Sequence, residues 1–334
     1  MKIGARDVEE EVFVIAEIGM NHEGDFVRAL EMVDAAASSG VSAVKFQTIV
    51  PERLVAKSEE ARLRALRRVA FSLDQYARLA QECERRGVLF LSTPFDLESL
   101  AFLAPLMPAV KIASGDNDFL PLIRAAVRTG KPVLLSTGII EGGELRGILS
   151  DMRKTAEEAS VPFQAALLHC VSSYPTPDDG ANLLRIRDLE KAGLPVGYSD
   201  HTLGIEACVA AVALGARIIE KHFTLDKNQS DWPDHKLSAE PEEMVEMIRR
   251  IRRVEAFLRR PPERLASERE VARAARRSIA AARDLKKGEP ITESAITWLR
   301  PGTGIPVGQE ERVLGRRVRR EISSGSLIRE EDLE

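Results

Sequence analysis

Eight short apolar runs, each followed by a segment of helical character, predict an α/β chain that begins with a (β/α)₈ TIM barrel. The apolar residues in each run are nearly continuous rather than alternating, which is typical of parallel strands covered by helices. A change in composition after residue 260 predicts that a small C-terminal domain follows. In chain order, the predicted strands are Val12–Ile18, Ala43–Phe46, Val88–Leu91, Ala109–Ile112, Val133–Leu135, Ala166–His169, Val196–Tyr198 and Ile218–Glu220.

The segments between these runs carry helix signals. Residues 26–38 place apolar side chains on one helical face, and Gly40 follows as a stop signal. A second helix is predicted over 74–86, before Gly87, and the small-residue-rich stretch 204–215 predicts a helix between the last two strands. The polar stretch before the first strand is predicted to form a hairpin that closes the bottom of the barrel.

The composition is that of a globular protein without a nucleic-acid or membrane partner. The 334 residues have a formal net charge of −4, with 44% hydrophobic and 30% charged residues. No signal peptide is predicted, and no apolar run approaches the roughly 20 residues of a membrane helix. The arginine-rich stretch 249–277 is interrupted by glutamates and contains one aromatic residue, Phe257, rather than the series of aromatic residues on which successive bases would stack. The three cysteines form no CxxC pair and are typical of reduced thiols, so we expect a cytoplasmic protein.

The C-terminal part of the chain contains an internal repeat. Pro261 and Pro262 are predicted to break the last long helix. The pattern apolar-x-x-Gly-x-x-Ile-x-x-x-x-apolar starts at Leu285 and again at Ile322, 37 residues later. This repeat predicts a small pseudo-symmetric domain of short strands and turns, with one short helix in each half, at 292–296 and 329–333. The predicted boundaries are 1–260 for the barrel, 261–277 for a linker and 278–334 for the C-terminal domain.

Polar side chains follow each of the eight predicted strands. In a (β/α)₈ barrel the active site is built at the C-terminal ends of the strands, so these residues are the candidates for a functional site. In chain order they are Glu17, Asn21 and His22; Lys45 and Gln47; Ser92 and Thr93; Lys111, Ser114 and Asp116; Ser136 and Thr137; His169, Ser172, Ser173 and Tyr174; Ser199, Asp200 and His201; Lys221 and His222.

Two histidines at the ends of neighbouring strands predict a divalent metal site. His201 and His222 each follow an apolar run, and Asp234 lies close behind in the sequence. Two imidazoles and one carboxylate leave coordination positions open for substrate and water, as catalysis requires. The alternative is a pair of hydrogen-bonded core histidines. His235 is a competing ligand, whereas His22 and His169 are expected to have structural roles.

The strand-end lysines and hydroxyls predict an anion site that could hold a phosphate and a carboxylate. Lys45 and Lys111 supply positive charge, and the hydroxyls supply short hydrogen-bond donors. The alternative is that the lysines only neutralise carboxylates inside the barrel, such as Glu17. The hydroxyl-bearing candidates are Thr93, Ser114, Ser136 and Ser199.

Taken together, these motifs resemble the sialic acid (N-acetylneuraminate) synthase family, which includes legionaminate and pseudaminate synthases and spore-coat polysaccharide relatives. The resemblance extends over essentially the whole chain, and residues 278–334 resemble the antifreeze-like (SAF) domain of those enzymes. The segments that carry it are Ala16–Gly24 (AEIGMNHEG), Val44–Thr48 (VKFQT), Ser92–Phe95 (STPF), Val110–Gly115 (VKIASG), Leu135–Gly138 (LSTG), His169–Pro175 (HCVSSYP), Gly197–Thr202 (GYSDHT) and Glu220–Thr224 (EKHFT).

The resemblance implies condensation of phosphoenolpyruvate with an N-acylated mannosamine-type sugar, which yields a nine-carbon 2-keto acid and inorganic phosphate. It also implies a divalent ion, Mn²⁺ first and Mg²⁺ or Co²⁺ as alternatives, and a domain-swapped homodimer in which each SAF domain covers the partner's barrel. By motif, the residues that would bind phosphoenolpyruvate are Lys45, Thr93, Lys111, Ser114, Ser136 and Ser199. Those that would handle the sugar or proton transfers are Glu17, Gln47, Asp116, Tyr174 and Asp234. His201 and His222 would bind the metal, and Arg300 would reach the N-acyl group from the partner subunit.

This chain departs from the family pattern on the sugar side. Trp232 precedes Pro233-Asp234 where many relatives have glycine, and Ser172, a further substrate-binding candidate, replaces a common asparagine. These departures leave open whether the acceptor is N-acetylmannosamine, a diacetamido-trideoxy sugar or mannose.

Three other functions are compatible with parts of the pattern. One is a condensation of the 3-deoxy-ulosonate type, whose phosphorylated acceptor would need an arginine at the barrel mouth. Another is a non-catalytic carbohydrate-binding protein, which would not need the metal histidines or the strand-end lysines. The third is an aldolase that forms a Schiff base on Lys111, which borohydride would trap.

Overall fold

A computed structural model describes residues 1–141, 143–259 and 263–334 of the chain. It divides into two compact units, Met1–Leu258 and Arg259–Glu334. The predicted helix break at Pro261-Pro262 lies outside the described residues. The predicted linker covers 261–277, and in its described part, residues 263–277, a helix forms over Ala266–Ala275.

The first unit contains the predicted barrel. A short antiparallel hairpin, β1 (Lys2–Ile3) with β2 (Arg6–Asp7), precedes it, as expected from the polar N-terminal stretch. The eight barrel strands are β3 (Phe13–Gly19), β4 (Ala43–Thr48), β5 (Leu89–Pro94), β6 (Val110–Ile112), β7 (Val133–Ser136), β8 (Ala165–Cys170), β9 (Val196–Asp200) and β10 (Ile218–His222). They form one parallel sheet in the order β5-β4-β3-β10-β9-β8-β7-β6. The two strands at the ends of this order, β5 and β6, contact each other, so the sheet curls into the predicted TIM barrel.

Helices follow the strands, and side-chain caps mark the starts of some of them. Asp25 caps the first helix by accepting hydrogen bonds from the amides of Val27 and Arg28. Ser72 and Gln75 form a capping box at the start of the fourth. The helices of this unit are α1 (Phe26–Ser38), α2 (Pro51–Leu54), α3 (Glu60–Val69), α4 (Leu73–Arg85), α5 (Leu97–Leu103), α6 (Leu120–Arg128), α7 (Glu144–Glu158), α8 (Arg185–Glu190), α9 (Glu206–Ala213), α10 (Pro233–Leu237) and α11 (Pro241–Leu258). Among the described residues, no helix combines the length and apolar content needed to cross a membrane.

The strand register determines which side chains share the inside of the barrel. Glu220 is paired with Ser199, and Lys221 with Asp200. Because successive side chains of a strand point to opposite faces, Glu220 and Ser199 lie on one face and Lys221 and Asp200 on the other. On the other side of β10, His222 is paired with Glu17. The register therefore brings candidates from three strands to one end of the barrel.

The second unit has its own small core. It begins with helix α12 (Ala266–Ala275), and β11 (Ser278–Ala281) pairs antiparallel with β12 (Ile296–Leu299). The two short helices predicted from the repeat are 3₁₀ turns at Glu293–Ala295 and Glu330–Asp332. The two copies of the repeat pair with each other, since Leu285 and Ile322 exchange backbone hydrogen bonds of 2.8 and 3.0 Å. Buried apolar residues of this core include Ile279, Leu285, Ile291, Val313, Val318, Ile322, Ile328 and Leu333.

Two glycines offer a matched test of how tightly the barrel strands pack. A Cβ at Gly197, in β9, would lie 2.6 Å from the carbonyl oxygen of Ile218 on β10. We expect Gly197→Ala to lower the free energy of unfolding by about 1–3 kcal/mol, because strand backbone must move. Gly147→Ala, at an exposed position of α7 with open space around the new Cβ, is expected to raise it by up to about 1 kcal/mol. Denaturant unfolding would measure both, and a Gly197→Ala variant as stable as the wild type would contradict this packing.

Candidate active site

A cavity of about 380 Å³ lies at the C-terminal ends of the barrel strands. Asp234 is not among its lining residues but lies beside His222, which is. Arg300 belongs to the second unit, so its predicted contact with the sugar stays a prediction. The predicted site residues that line the cavity are Glu17, Lys45, Gln47, Thr93, Lys111, Ser114, Asp116, Ser136, Ser172, Tyr174, Ser199, His201 and His222.

Two lysines and two glutamates form a buried charge cluster at the floor of the cavity. Lys45 Nζ lies 2.7 Å from Glu17 Oε2 and 3.6 Å from Glu220 Oε2. Lys111 Nζ lies 3.5 Å from Glu220 Oε1. All four side chains are almost completely buried. Glu220 therefore links the two lysines, and each lysine has a carboxylate partner, as the alternative interpretation required, while both still line the cavity.

The two carboxylates differ in their protonation tendency. Burial raises the pKa of Glu17, and Lys45 offsets this only in part. Burial also acts to raise the pKa of Glu220, but Lys111 and Lys45 more than offset it, so that pKa lies below its usual value. When two carboxylates of one site have pKa values pushed apart, they suit different roles. Of the two carboxylates, Glu17 is therefore the more easily protonated.

Sequence reasoning did not assign a role to Glu220. The signal was present, because Glu220 precedes His222 by two residues in a strand, and residues two apart share a face. The same spacing relates Ser199 to His201 and Lys45 to Gln47, so β4, β9 and β10 each place a pair of side chains at the cavity. A carboxylate inside an otherwise apolar strand needs a cationic partner, and a buried lysine on a neighbouring strand can supply it.

Hydroxyl groups complete the surroundings of the lysines. Lys45 Nζ donates to Thr93 Oγ1 at 3.1 Å, and Lys111 Nζ donates to Ser136 Oγ at 2.8 Å. Ser199 Oγ donates to Glu220 at 2.9 Å. Burial lowers the pKa of Lys111, whereas Glu17 and Glu220 outweigh burial and raise the pKa of Lys45. Ammonium groups with adjacent hydroxyls are a suitable receptor for a small anion with several oxygen atoms.

The two predicted metal ligands face each other. The rings of His201 and His222 have centroids 5.4 Å apart. His201 Nδ1 lies 2.8 Å from the carbonyl oxygen of Val171, so that nitrogen carries the proton and Nε2 keeps a free lone pair. Burial lowers the pKa of both histidines, which keeps the imidazoles neutral, as metal ligation requires.

A third protein ligand is nearby but not in place. His222 Nδ1 is buried, has no hydrogen-bond partner among the described residues, and lies 3.9 Å from Asp234 Oδ2. No group of three His, Cys, Asp or Glu side chains stands at metal-ligand geometry in the part of the chain that the structure describes. The donor set fits a divalent ion held by two imidazoles, with further positions filled by Asp234, substrate or water.

The other histidines have structural contacts. His235 has both ring nitrogens engaged, Nδ1 at 2.7 Å from Thr224 Oγ1 and Nε2 at 3.2 Å from Glu23 Oε1, so it does not compete as a metal ligand. The remaining two are also packed: His22 stacks on Phe71 with ring centroids 4.0 Å apart, and His169 bonds the carbonyl oxygen of Ala181 at 2.8 Å and stacks on Tyr198.

One wall of the cavity is apolar and was not predicted. Most of it comes from the long connection between β4 and α4, whose helices α2 and α3 enclose a small apolar cluster, and Met20 after β3 and Phe95 after β5 pack against that cluster. Arg62 on α3 also lines the cavity, although no strand ends in an arginine. Leu54, Arg62 and Leu66 have no strand-end signal in the sequence, because a long loop places them. The apolar side chains of this wall are Met20, Ile49, Leu54, Leu66 and Phe95.

Asp116 offers a pH-dependent test of the cavity's polarity. Burial, and secondarily Asp118, raises the pKa of Asp116 from 3.8 to about 6. A carboxyl whose pKa is raised in the folded state lowers stability progressively as the pH rises from the unfolded pKa to the folded pKa, because the unfolded chain ionises more easily. We expect the Tm of Asp116→Asn relative to wild type to increase as the pH rises from 4 through 6, then to level off. A Tm difference that is constant across that range, measured by calorimetry, would be inconsistent with the buried position of the carboxyl.

Comparison with known proteins agrees with this geometry. The NeuB family model matches residues 32–261, and the SAF domain model matches residues 276–334. The chain is 42% identical to Uncharacterized protein MJ1065 of Methanocaldococcus jannaschii, over 100% of this chain and 98% of that protein. It is 36% identical to the N,N'-diacetyllegionaminic acid synthase of Campylobacter jejuni, over 96% of this chain and 100% of that one. The solved structure of N-acetylneuraminic acid (sialic acid) synthetase from Leptospira borgpetersenii superposes with a TM-score of 0.72 at 36% identity, covering 78% of this chain and 90% of that one. This chain belongs to the NeuB family and ends in a SAF domain.

Proposed function

We propose that this protein condenses phosphoenolpyruvate with an N-acylated mannosamine-type sugar, forming a nine-carbon 2-keto sugar acid and inorganic phosphate. The observation that carries the proposal is the arrangement at the cavity floor. A buried lysine pair with adjacent hydroxyls lies next to a facing pair of neutral imidazoles. The first set suits a small anion that carries a phosphate and a carboxylate, the second suits a divalent metal, and the proposed condensation uses both. The relatives that act as sialic-acid-type synthases support this reaction class.

The lysine cluster orients phosphoenolpyruvate. Its phosphate and carboxylate take the positive charge of Lys45 and Lys111, and the neighbouring hydroxyls donate hydrogen bonds to the remaining oxygens. Glu220 stays ionised between the lysines and holds both ammonium groups at the floor of the cavity. The hydroxyl donors in this role are those of Thr93, Ser114, Ser136 and Ser199.

The reaction forms a carbon–carbon bond and breaks a carbon–oxygen bond. C3 of phosphoenolpyruvate attacks the aldehyde carbon of the open-chain sugar, whose oxygen takes a proton and becomes a hydroxyl. Positive charge develops at C2, and water adds there. The bond from C2 to the phosphate oxygen then breaks, and loss of the hydroxyl proton gives the ketone. Glu17, whose pKa is raised, either stabilises the charge at C2 or takes the proton from the attacking water.

The metal is part of the proposal and is assigned by its ligands. His201 and His222 would hold Mn²⁺, or Mg²⁺ or Co²⁺ in its place, and such an ion supplies Lewis-acid polarisation of the sugar aldehyde. Gln47, Asp116, Ser172, Tyr174 and Asp234 then surround the sugar. Arg300 is assigned to the N-acyl group of a sugar bound in the partner subunit, so the proposal includes a domain-swapped homodimer in the cytoplasm.

One observation favours a second candidate, a 3-deoxy-ulosonate-type condensation with a phosphorylated acceptor. Arg62 is a guanidinium at the cavity, and an acceptor phosphate would need such a group. However, the wall around Arg62 is mostly hydrocarbon, and phosphates are usually held by several donors at once. An unphosphorylated, N-acylated acceptor suits this wall better.

Phosphate release from phosphoenolpyruvate tests the reaction directly. The purified protein with Mn²⁺ receives N-acetylmannosamine, 2,4-diacetamido-2,4,6-trideoxymannose or arabinose 5-phosphate in parallel, with and without EDTA. We expect release with an N-acylated sugar, its loss with EDTA, and loss in His222→Ala but not in a folded His169→Gln control. Release with arabinose 5-phosphate alone would favour the second candidate. Absence of release with every acceptor would contradict the proposal.

Glu17 is expected to affect turnover rather than binding. Glu17→Gln keeps an oxygen and the shape of the side chain but removes the group that exchanges a proton. We expect kcat to fall by roughly 10²–10⁴-fold, with the KM for phosphoenolpyruvate within about twofold of wild type. Steady-state phosphate release measures both constants. A normal kcat in Glu17→Gln would remove Glu17 from the chemical step.

A further inference from the structure

The turn that follows β3 has a role that the chemistry above does not use. Residues 21–24 read Asn-His-Glu-Gly, and none of the four lines the cavity. Asn21 and His22 are completely buried, and Glu23 adopts a left-handed backbone conformation with φ of 52°. Such a turn is buried, polar and strained, yet it lies outside the cavity. Strain of this kind persists only where surrounding contacts hold it, so the contacts of the turn indicate its role.

One side of this turn is bonded to the segment that carries Asp234. Glu23 Oε1 accepts hydrogen bonds from Gln229 Nε2 at 2.8 Å and from His235 Nε2 at 3.2 Å. Asn21 Nδ2 donates to Ser238 Oγ at 2.9 Å, and Ser238 Oγ donates to the carbonyl oxygen of Asp234 at 2.6 Å. The segment 229–238 is therefore fixed at three points, one of them adjacent to Asp234 and one bonded to its carbonyl oxygen.

The other side of the turn packs against the end of α3, whose Arg62 and Leu66 line the cavity. A Cβ at Gly24, where φ is 84°, would lie 2.2 Å from the carbonyl oxygen of Arg68, so only glycine fits this approach. His22 stacks on Phe71 just beyond the helix. The turn thus stands on a packed base and has little freedom to follow a movement of the segment 229–238.

We propose that Asn21 and Glu23 are positioning residues that hold the segment 229–238 so that the Asp234 carboxylate stays beside His222. The inference rests on the proposed function for the role of Asp234 toward the sugar. Neither Asn21 nor Glu23 touches the cavity, so both act through the segment. Asp234 itself has weak local support: it lies in the first turn of the five-residue helix α10, too short to be stable alone.

Steady-state kinetics of Glu23→Ala separates this role from general stability. We expect the KM for the sugar to rise roughly tenfold or more, because a small displacement of Asp234 misplaces the acceptor, while the KM for phosphoenolpyruvate stays within about twofold. Glu23→Gln, which keeps an acceptor oxygen, is expected to recover part of the loss. The matched control is Glu243→Ala, which removes the partner of Lys227 at 2.5 Å, at the near end of the same loop but outside the segment 229–238. It should leave the sugar KM unchanged.

A double-mutant cycle distinguishes this proposal from the proposed function. If Glu23 acts through Asp234, Glu23→Ala should change the sugar KM less than twofold in an Asp234→Asn background. Additive effects, or a Glu23→Ala variant with a normal sugar KM, would overturn the positioning role. An unchanged sugar KM in Asp234→Asn alone would instead contradict the role proposed for Asp234.

Hydrogen exchange gives a readout that needs no activity. Glu23→Ala should accelerate amide exchange over residues 230–238, where the amides of His235 and Ser238 donate to backbone carbonyls, and Glu243→Ala should not. Unchanged exchange in Glu23→Ala would overturn the proposal even if no sugar were turned over.

Discussion

The buried charge cluster of Lys45, Lys111, Glu17 and Glu220 is the constraint on which the site depends. A lysine inside a barrel is tolerated only with a partner, and each carboxylate here needs its lysine in the same way. The pKa of Glu17 is raised and the pKa of Glu220 is lowered, so protonation of Glu17 leaves two ammonium groups facing one carboxylate. The cluster then has an excess of positive charge at the cavity floor, which an anionic substrate would neutralise. The same arrangement thus compensates the buried charges and favours the binding of an anionic substrate.

The outer face of the strands supports this floor with a second buried ion pair. Lys221 Nζ lies 2.6 Å from Asp200 Oδ2 and also donates to the carbonyl oxygen of Thr202 at 2.7 Å. Asp200 accepts further hydrogen bonds from the hydroxyl of Tyr198 and the amide of Thr202. Asp200 immediately precedes His201, and Lys221 immediately precedes His222. This cross-strand ion pair therefore reinforces the backbone ladder of β9 and β10 in the register that brings the two imidazoles together, because alternate residues point to opposite faces.

Most of the barrel and its floor could be predicted, because each strand shows its own signal in the sequence: an apolar run followed directly by polar residues. Each apolar run has, at or after its C-terminal end, at least one polar residue that lines the cavity, although other strand-end candidates, such as Asp200 and Lys221, do not. The 37-residue repeat predicted a pseudo-symmetric domain, and the structure shows in addition that Leu285 and Ile322 pair with each other. Glu220 was missed because its partners, Lys45 and Lys111, lie on other strands, and the sequence of one strand does not show which side chains of other strands are close to it. Arg62, Leu54 and Leu66 could not be predicted as cavity residues, since a long loop with its own packing places them. Helix α12 lies within the residues that were predicted to be a linker. Its alanine, arginine and glutamate residues have high helix propensity, and this propensity was not considered in the prediction.

The division between strands and loops has a consequence for how substrate choice can change. The groups assigned to phosphoenolpyruvate stand mostly on strands whose register is fixed by hydrogen bonds and by buried ion pairs on both faces. The groups assigned to the sugar stand mostly on connections: a 3₁₀ turn for Asp116, the loop after β8 for Tyr174, and α10 for Asp234. A loop can be altered without disturbing the charge cluster, because it contributes little to the strand register. The acceptor can therefore differ between members of such a family while the chemistry at the floor stays the same. The turn at residues 21–24 is bonded to the segment 229–238. It therefore limits which changes in that segment are compatible with Asp234 staying beside His222.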